Sequence, residues 1–157
     1  MDKDYHAKVI SNVLAKLEDL DIDLYIILTS EGSDPATAFI PGVDTVGSGA
    51  FLFQRGGRKI GVASAIDAQD IAESGLFDEV VRYKDYDAEV ADLVLGMAPR
   101  RVAMNFSRDV PFCDGLTMGR LSRFVESLGG KLPFETVSSD LFVSRVKEAL
   151  SPVQPTP

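Results

Sequence analysis

Asp34 is the carboxylate best placed for chemistry. It stands beside Pro35 in the polar stretch that follows the apolar run Leu24–Leu28. Loops that leave the carboxyl ends of strands in α/β sheets are favoured ligand sites. The same residues also describe an Asx-type turn, in which the aspartate bonds its own backbone two residues on. The other acidic pairs, Glu18-Asp19, Asp21-Asp23 and Asp67-Asp70, read as caps and solvated faces, and Asp114-Gly115 reads as a helix start. Cys113 is the single cysteine and has no thiolate-stabilising neighbour in the sequence, so it reads as a buried, inert thiol. His6 is the single histidine and reads as a solvated side chain. One histidine gives weak support to a hydrolase triad or to an imidazole-based metal site, and a site made of carboxylates alone stays open. The chain contains no GxSxG, HExxH, CxxC or GxxxxGK[ST] pattern. Gly47-Ser48-Gly49 opens a GxG, but Leu52 breaks the dinucleotide pattern, leaving a tight entry into the next strand.

Several elements must position these residues. Tyr5 to Leu20 has Val9, Val13, Leu14, Leu17 and Leu20 at helical spacing. Leu24–Leu28 is a continuous apolar run that fits a buried central strand, and Thr29–Thr37 reads as loop, followed by an apolar contact at Phe39-Ile40. Ala50–Gln54 and Lys59–Ala63 form a hairpin pattern around Arg55-Gly56-Gly57-Arg58. Helices are predicted over Ile66–Ser74 (with Ile66 on its apolar side), Asp87–Met97, Asp114–Leu128 and Asp140–Leu150. Strands are predicted over Glu79–Tyr83, Arg101–Phe106 and Phe134–Val137. Strands alternating with helices predict a three-layer α/β fold: a mixed sheet of five or six strands with helices on both faces. Residues 1–150 make one domain, and 151–157 a Pro-rich tail that cannot continue a helix.

A formal net charge of −8 argues against nucleic acid as a partner, since phosphate neutralisation needs clustered Lys and Arg. The basic spots Arg55–Arg58–Lys59, Arg100–Arg101 and Arg120–Arg123 read as solvated faces and turns. The charged start of the chain lacks an apolar signal core, no run approaches the length of a membrane span, and a lone cysteine suits a reducing compartment. The expectation is a cytoplasmic protein with no membrane partner.

The order of these elements resembles the N-terminal domain of the creatinase/prolidase/Xaa-Pro aminopeptidase family. Residues 21–43 (DIDLYIILTSEGSDPATAFIPGV) look like that family's first strand and its D-x-N-x-x-Y-L-T-G-F loop, with Asp34, Phe39, Ile40, Gly42 and Val43 in the comparable places. Residues 49–64 are similar to the family's hairpin and 101–107 to its later strand. Residues 138–152 resemble its exit segment, with Arg145, Lys147, Ser151 and Pro152 carrying the likeness.

The resemblance implies a fold and a role. The catalytic histidines and the two divalent metal ions (Mn, Co or Zn) would belong to a second, pita-bread domain of the parent hydrolase, with no catalytic residue, metal or cofactor in this chain. The implied partners are that catalytic domain, a second copy in a homodimer, and the peptide substrate of the parent enzyme. Asp34 and Phe39 are the residues implied to gate substrate. The first reading is therefore a non-catalytic domain of a metal-dependent Xaa-Pro dipeptidase or aminopeptidase, serving oligomerisation and active-site gating. The alternatives are a stand-alone binding module for a protein or peptide, and a small-molecule enzyme built on the Asp34 loop.

Overall fold

The computed structural model describes residues 2–150, so the predicted tail at 151–157 lies outside the described residues. Helix α1 (Lys3–Asp19) is followed by β1 (Leu24–Ser30), a single helical turn α2 (Ala36–Phe39), and the antiparallel pair β2 (Ser48–Gln54) and β3 (Lys59–Ala63). Then come α3 (Ala65–Ser74), β4 (Glu79–Arg82), α4 (Tyr86–Met97), β5 (Arg101–Met104), α5 (Met118–Ser127), β6 (Glu135–Ser138) and α6 (Val143–Leu150). The six strands form one mixed sheet in the order β4-β3-β2-β1-β5-β6. Only β2 runs against the others: β1 pairs antiparallel with β2 from Leu24↔Gln54 to Ser30↔Ser48, and parallel with β5 at Leu24↔Val102.

β1 is the axis of the sheet because both of its faces are covered. Tyr25 and Ile27 join the core beneath α1, α3 and α6, while Leu24, Ile26 and Leu28 join the core beneath α4 and α5. A strand buried on both sides reads as an unbroken apolar run rather than an alternating one. Neighbouring β2 follows the same rule, with Phe51 and Phe53 on the first face and Ala50 and Leu52 on the second.

Local chemistry sets the element ends. Ser64, Asp85 and Thr117 each cap a helix by accepting from the amide three residues on, at Asp67, Ala88 and Arg120. Gly75 closes α3 in the left-handed conformation, φ 68°. Gly56 and Gly57, at φ 100° and 116°, make the predicted hairpin turn.

Some boundaries differ from expectation. β1 continues through Thr29 and Ser30 because β2 extends back to pair with them, and the expected loop contains the helical turn α2. β5 stops at Met104, short of the expected Phe106. The last helix starts at Val143 after a 3-10 turn over Ser139–Leu141. The helix expected from Asp114 starts at Met118 instead. Asp114 accepts from the Ser107 amide at 2.9 Å, holding the loop ahead of the helix. Ile66, expected on the apolar side of α3, is 77% exposed; Ala68 and Ile71 supply the buried side.

The amino-terminal ends of β1 and β5 are tied by charge. Asp23 Oδ2 accepts from the Arg100 amide at 2.7 Å, and Arg55 reaches both Glu18 and Asp21. The Arg55 hydrogen bonds hold the Glu18 and Asp21 carboxyls below their ordinary values. Arg55 and Arg100 thus join strand ends through solvent-facing ion pairs.

The double burial of β1 sets a stability test. Ile27→Ala should lower the unfolding free energy by about 2–5 kcal/mol, while Ile66→Ala should stay within about 0.5 kcal/mol of the parent. Urea denaturation of the two variants checks this, and equal effects would contradict the placement.

Candidate functional site: a pinned loop at the carboxyl end of the sheet

The loop at 31–47 joins β1 to β2 across the end of the sheet where β1, β3, β4, β5 and β6 all finish. Three anchors from three elements fix it. The first is Asp34, which is 1% exposed. Its Oδ1 accepts from the Ala36 amide at 3.0 Å, the expected Asx-type turn, and its Oδ2 accepts from Asn105 Nδ2 at 2.8 Å. Asn105 Oδ1 in turn accepts from the Tyr25 phenol at 2.7 Å. A carboxylate can only accept, so the amide nitrogen must face Asp34 and the amide oxygen must face the phenol. Gly115 packs directly on the Asp34 carboxylate, where any Cβ would overlap it.

Burial pushes the Asp34 carboxyl above its ordinary value, with the Asn105 and Ala36 bonds opposing that shift. Burial likewise pushes Tyr25 well up, so its phenol stays protonated and donates. Burial also raises the Cys113 thiol, which lies on the same face of the sheet and is enclosed by the core.

The second anchor is Asp67, in the first turn of α3 and only 3% exposed. Its two oxygens accept from the amides of Val46 at 2.9 Å and Gly47 at 3.0 Å, and Ser64 Oγ lies 3.2 Å from Oδ2. Sequence reading took Asp67 as a helix cap or a solvated side chain. It is buried because the returning loop crosses over the start of α3. Beside it Gly49 leaves room for Thr45, whose methyl would lie 2.7 Å from an added Cβ. The Gly47-Ser48-Gly49 stretch is therefore a tight strand entry, as its pattern predicts.

The third anchor is His6, expected to be solvated. Its Nδ1 lies 2.9 Å from the Phe39 carbonyl and 3.2 Å from that of Ile40, so this nitrogen carries the proton and donates. The imidazole also fills the space where a side chain at Gly42 (φ 70°) would sit. No sequence signal marks this bond, because its partners are backbone carbonyls 33 and 34 residues away.

These anchors decide what the edge can do. β1 and β5 are parallel neighbours whose onward connections lead in opposite directions across the sheet, the arrangement that opens a ligand crevice in doubly wound sheets. Here Asp34, Asn105 and Gly115 fill that crevice, so Asp34 is a positioning residue sealed from solvent. Among the described residues no group of three or more His, Cys, Asp and Glu side chains converges to hold a metal ion. The groups bonded to Asp34 are the Asn105 side-chain amide and the Ala36 backbone N–H, both hydrogen-bond donors, which do not fit a divalent ion.

Phe39 stays half-buried and meets the rings of Tyr5 and Phe112 edge-on at 6.5 and 5.9 Å. The same end of the sheet carries exposed apolar side chains: Val46 at 73% and Met118 at 89%, with Ile66, Phe106 and Leu141. The edge therefore presents a rigid loop among apolar contacts.

Sequence comparison finds no family model and no curated protein that matches the chain. Structure comparison does find likenesses. The N-terminal domain of Xaa-Pro dipeptidase from Lactobacillus brevis superposes with a TM-score of 0.60 at 18% identity, covering 88% of this chain and 98% of that one. An Xaa-Pro aminopeptidase structure from Streptococcus thermophilus gives 0.65 at 10% identity, covering 90% and 98%. Xaa-Pro dipeptidase from Bacillus anthracis gives 0.63 at 16% identity, and there the likeness takes in 87% of this chain but only 34% of that chain. The chain has the creatinase/prolidase N-terminal-type fold and spans about a third of the Bacillus enzyme. The resemblance stated from sequence holds at the level of fold. Among the described residues no helix is long and apolar enough to cross a membrane.

The Asp34 anchor has a pH signature. Its folded-state carboxyl lies above its unfolded value, so the stability it contributes is present in acid and is lost as pH rises through the folded value. Asp34→Asn removes that titration. Relative to the parent, the variant should gain stability from about pH 3 to pH 8 in paired denaturation curves. A difference independent of pH would contradict a buried, titrating Asp34.

Proposed function

We propose that this chain is a non-catalytic N-terminal domain of a metal-dependent Xaa-Pro dipeptidase or aminopeptidase, and that its pinned loop and apolar edge serve assembly and active-site gating. The observation that supports this reading most is the loop at 31–47, held by Asp34, Asp67 and His6 at an edge that also exposes Val46, Ile66, Phe106, Met118 and Leu141. A wall beside another domain's active site must keep its shape without help from substrate. Two buried carboxylates, Asp34 and Asp67, and the half-buried His6 supply that rigidity.

In this role Asp34 acts through the loop it holds, and Phe39 is the side chain offered to substrate. The two divalent ions, Mn, Co or Zn, would be held by a catalytic domain that this chain would dock against, as would a second copy in a dimer. A cytoplasmic setting accords with the single reduced cysteine, Cys113. The exposed apolar side chains equally suit a stand-alone binding module for a protein or peptide, which is the second reading.

The purified chain should show no metal-dependent cleavage of Xaa-Pro peptides with Mn, Co or Zn added, and robust cleavage by the chain alone would overturn the proposal. Sedimentation should show self-association that the triple variant Phe106→Ser, Met118→Ser, Leu141→Ser weakens about tenfold or more. Association unchanged in that variant would remove the edge from the dimer contact.

A further inference from the structure

We infer that Arg120, Ser48 and Ser30 form a binding site for an oxyanion, a carboxylate or phosphate group, on the α4–α5 side of the same sheet edge. The inference rests on these side chains alone and is independent of the peptidase-domain reading.

Arg120 lies in the first turn of α5, where a cation meets the positive end of the helix and is disfavoured. Among the described residues no carboxylate lies within ion-pair distance of it. The nearby Asp87 carboxylate is taken by Arg123, at 2.6 Å. Arg120 is nonetheless held in one place. Its guanidinium lies over the Tyr86 ring, 5.0 Å from the centroid, and Nη2 donates to Ser48 Oγ at 2.5 Å. A half-buried guanidinium set against the helix field, with one of its five N–H groups spent, has the makings of a recognition group.

The hydroxyls around it point the same way. Arginine only donates, so Ser48 Oγ accepts from Arg120 and turns its own proton toward Ser30 Oγ, 3.5 Å away. The Ser30 hydroxyl proton has no acceptor among the described residues. The neighbouring phenols are committed as donors, Tyr83 to the Ser48 carbonyl at 3.0 Å and Tyr86 to the Gly49 carbonyl at 2.8 Å. They fix the start of β2, and with it Ser48. The chain Arg120→Ser48→Ser30 therefore ends in an unspent O–H beside unspent guanidinium N–H groups. Each donor in such a chain polarises the next. What completes the set is a group that only accepts and carries negative charge. A carboxylate or phosphate does both, and either can take two parallel bonds from the guanidinium.

The test is a backbone and arginine-Nε NMR titration of the full chain with sodium acetate and, separately, sodium phosphate, each against sodium chloride at matched ionic strength. The expected result is saturable shifts at Ser30, Ser48 and Arg120 with an oxyanion and not with chloride. Saturation by acetate alone identifies a carboxylate ligand, and tighter binding of phosphate identifies a phosphate group. Arg120→Gln should weaken binding about tenfold or more, the loss that follows removal of a charged hydrogen-bond donor. Arg123→Gln should leave binding unchanged. Should Arg120→Gln fail to fold, Ser30→Ala removes only the terminal donor and should weaken binding several-fold. No saturable shift with either oxyanion, or parental affinity in Arg120→Gln or in Ser30→Ala, overturns the inference.

Discussion

A carboxylate sealed beneath a loop must find donors inside the protein, and the Asp34–Asn105–Tyr25 chain is where this fold supplies them. Asn105 sits just past β5 and Tyr25 lies within β1, so the network joins the two parallel central strands to the loop between β1 and β2. A buried acceptor left without its donor carries a desolvation cost of about 1–3 kcal/mol or more. Each member of the chain therefore depends on the others. Gly115 belongs to the same constraint, because the connection from β5 to α5 can close over Asp34 only where no side chain intervenes.

The two ends of the sheet use charge differently. At the amino-terminal end of β1, exposed carboxylates meet Arg55 and Arg100 in solvent-facing pairs whose bonds keep the acids ionised. Screening by water leaves such pairs a small energetic role beyond orienting strand ends. At the carboxyl end, Asp34 and Asp67 are buried and bonded to neutral donors. That end holds shape, and it also carries exposed apolar side chains.

Much of the fold was legible in local patterns. The unbroken Leu24–Leu28 run marked a strand covered on both faces. The Gly56-Gly57 turn marked the hairpin, and Gly75 marked the end of α3, since only backbone conformations that favour glycine suit those positions. Two misread side chains, His6 and Asp67, share one property: their roles come from partners distant in sequence. His6 bonds carbonyls more than thirty residues on, and Asp67 bonds amides about twenty residues back. Ile66 looked like a core residue because the residues after it repeat at helical spacing, yet the helix is rotated to bury Ala68 and Ile71.

By itself the sequence determined the kind of each longer helix and strand, the mixed three-layer sheet and the Asx turn at Asp34, because propensity, capping and apolar periodicity act over a few residues. Tertiary structure alone decided that Asp34 and Asp67 are buried anchors, that His6 clamps the loop, that the switch-point crevice is filled, and that Arg120 is left with donors to spare. Those outcomes depend on which segments the sheet brings together at its carboxyl end, and hydrogen bonds across tens of residues leave no periodic trace in the chain that makes them.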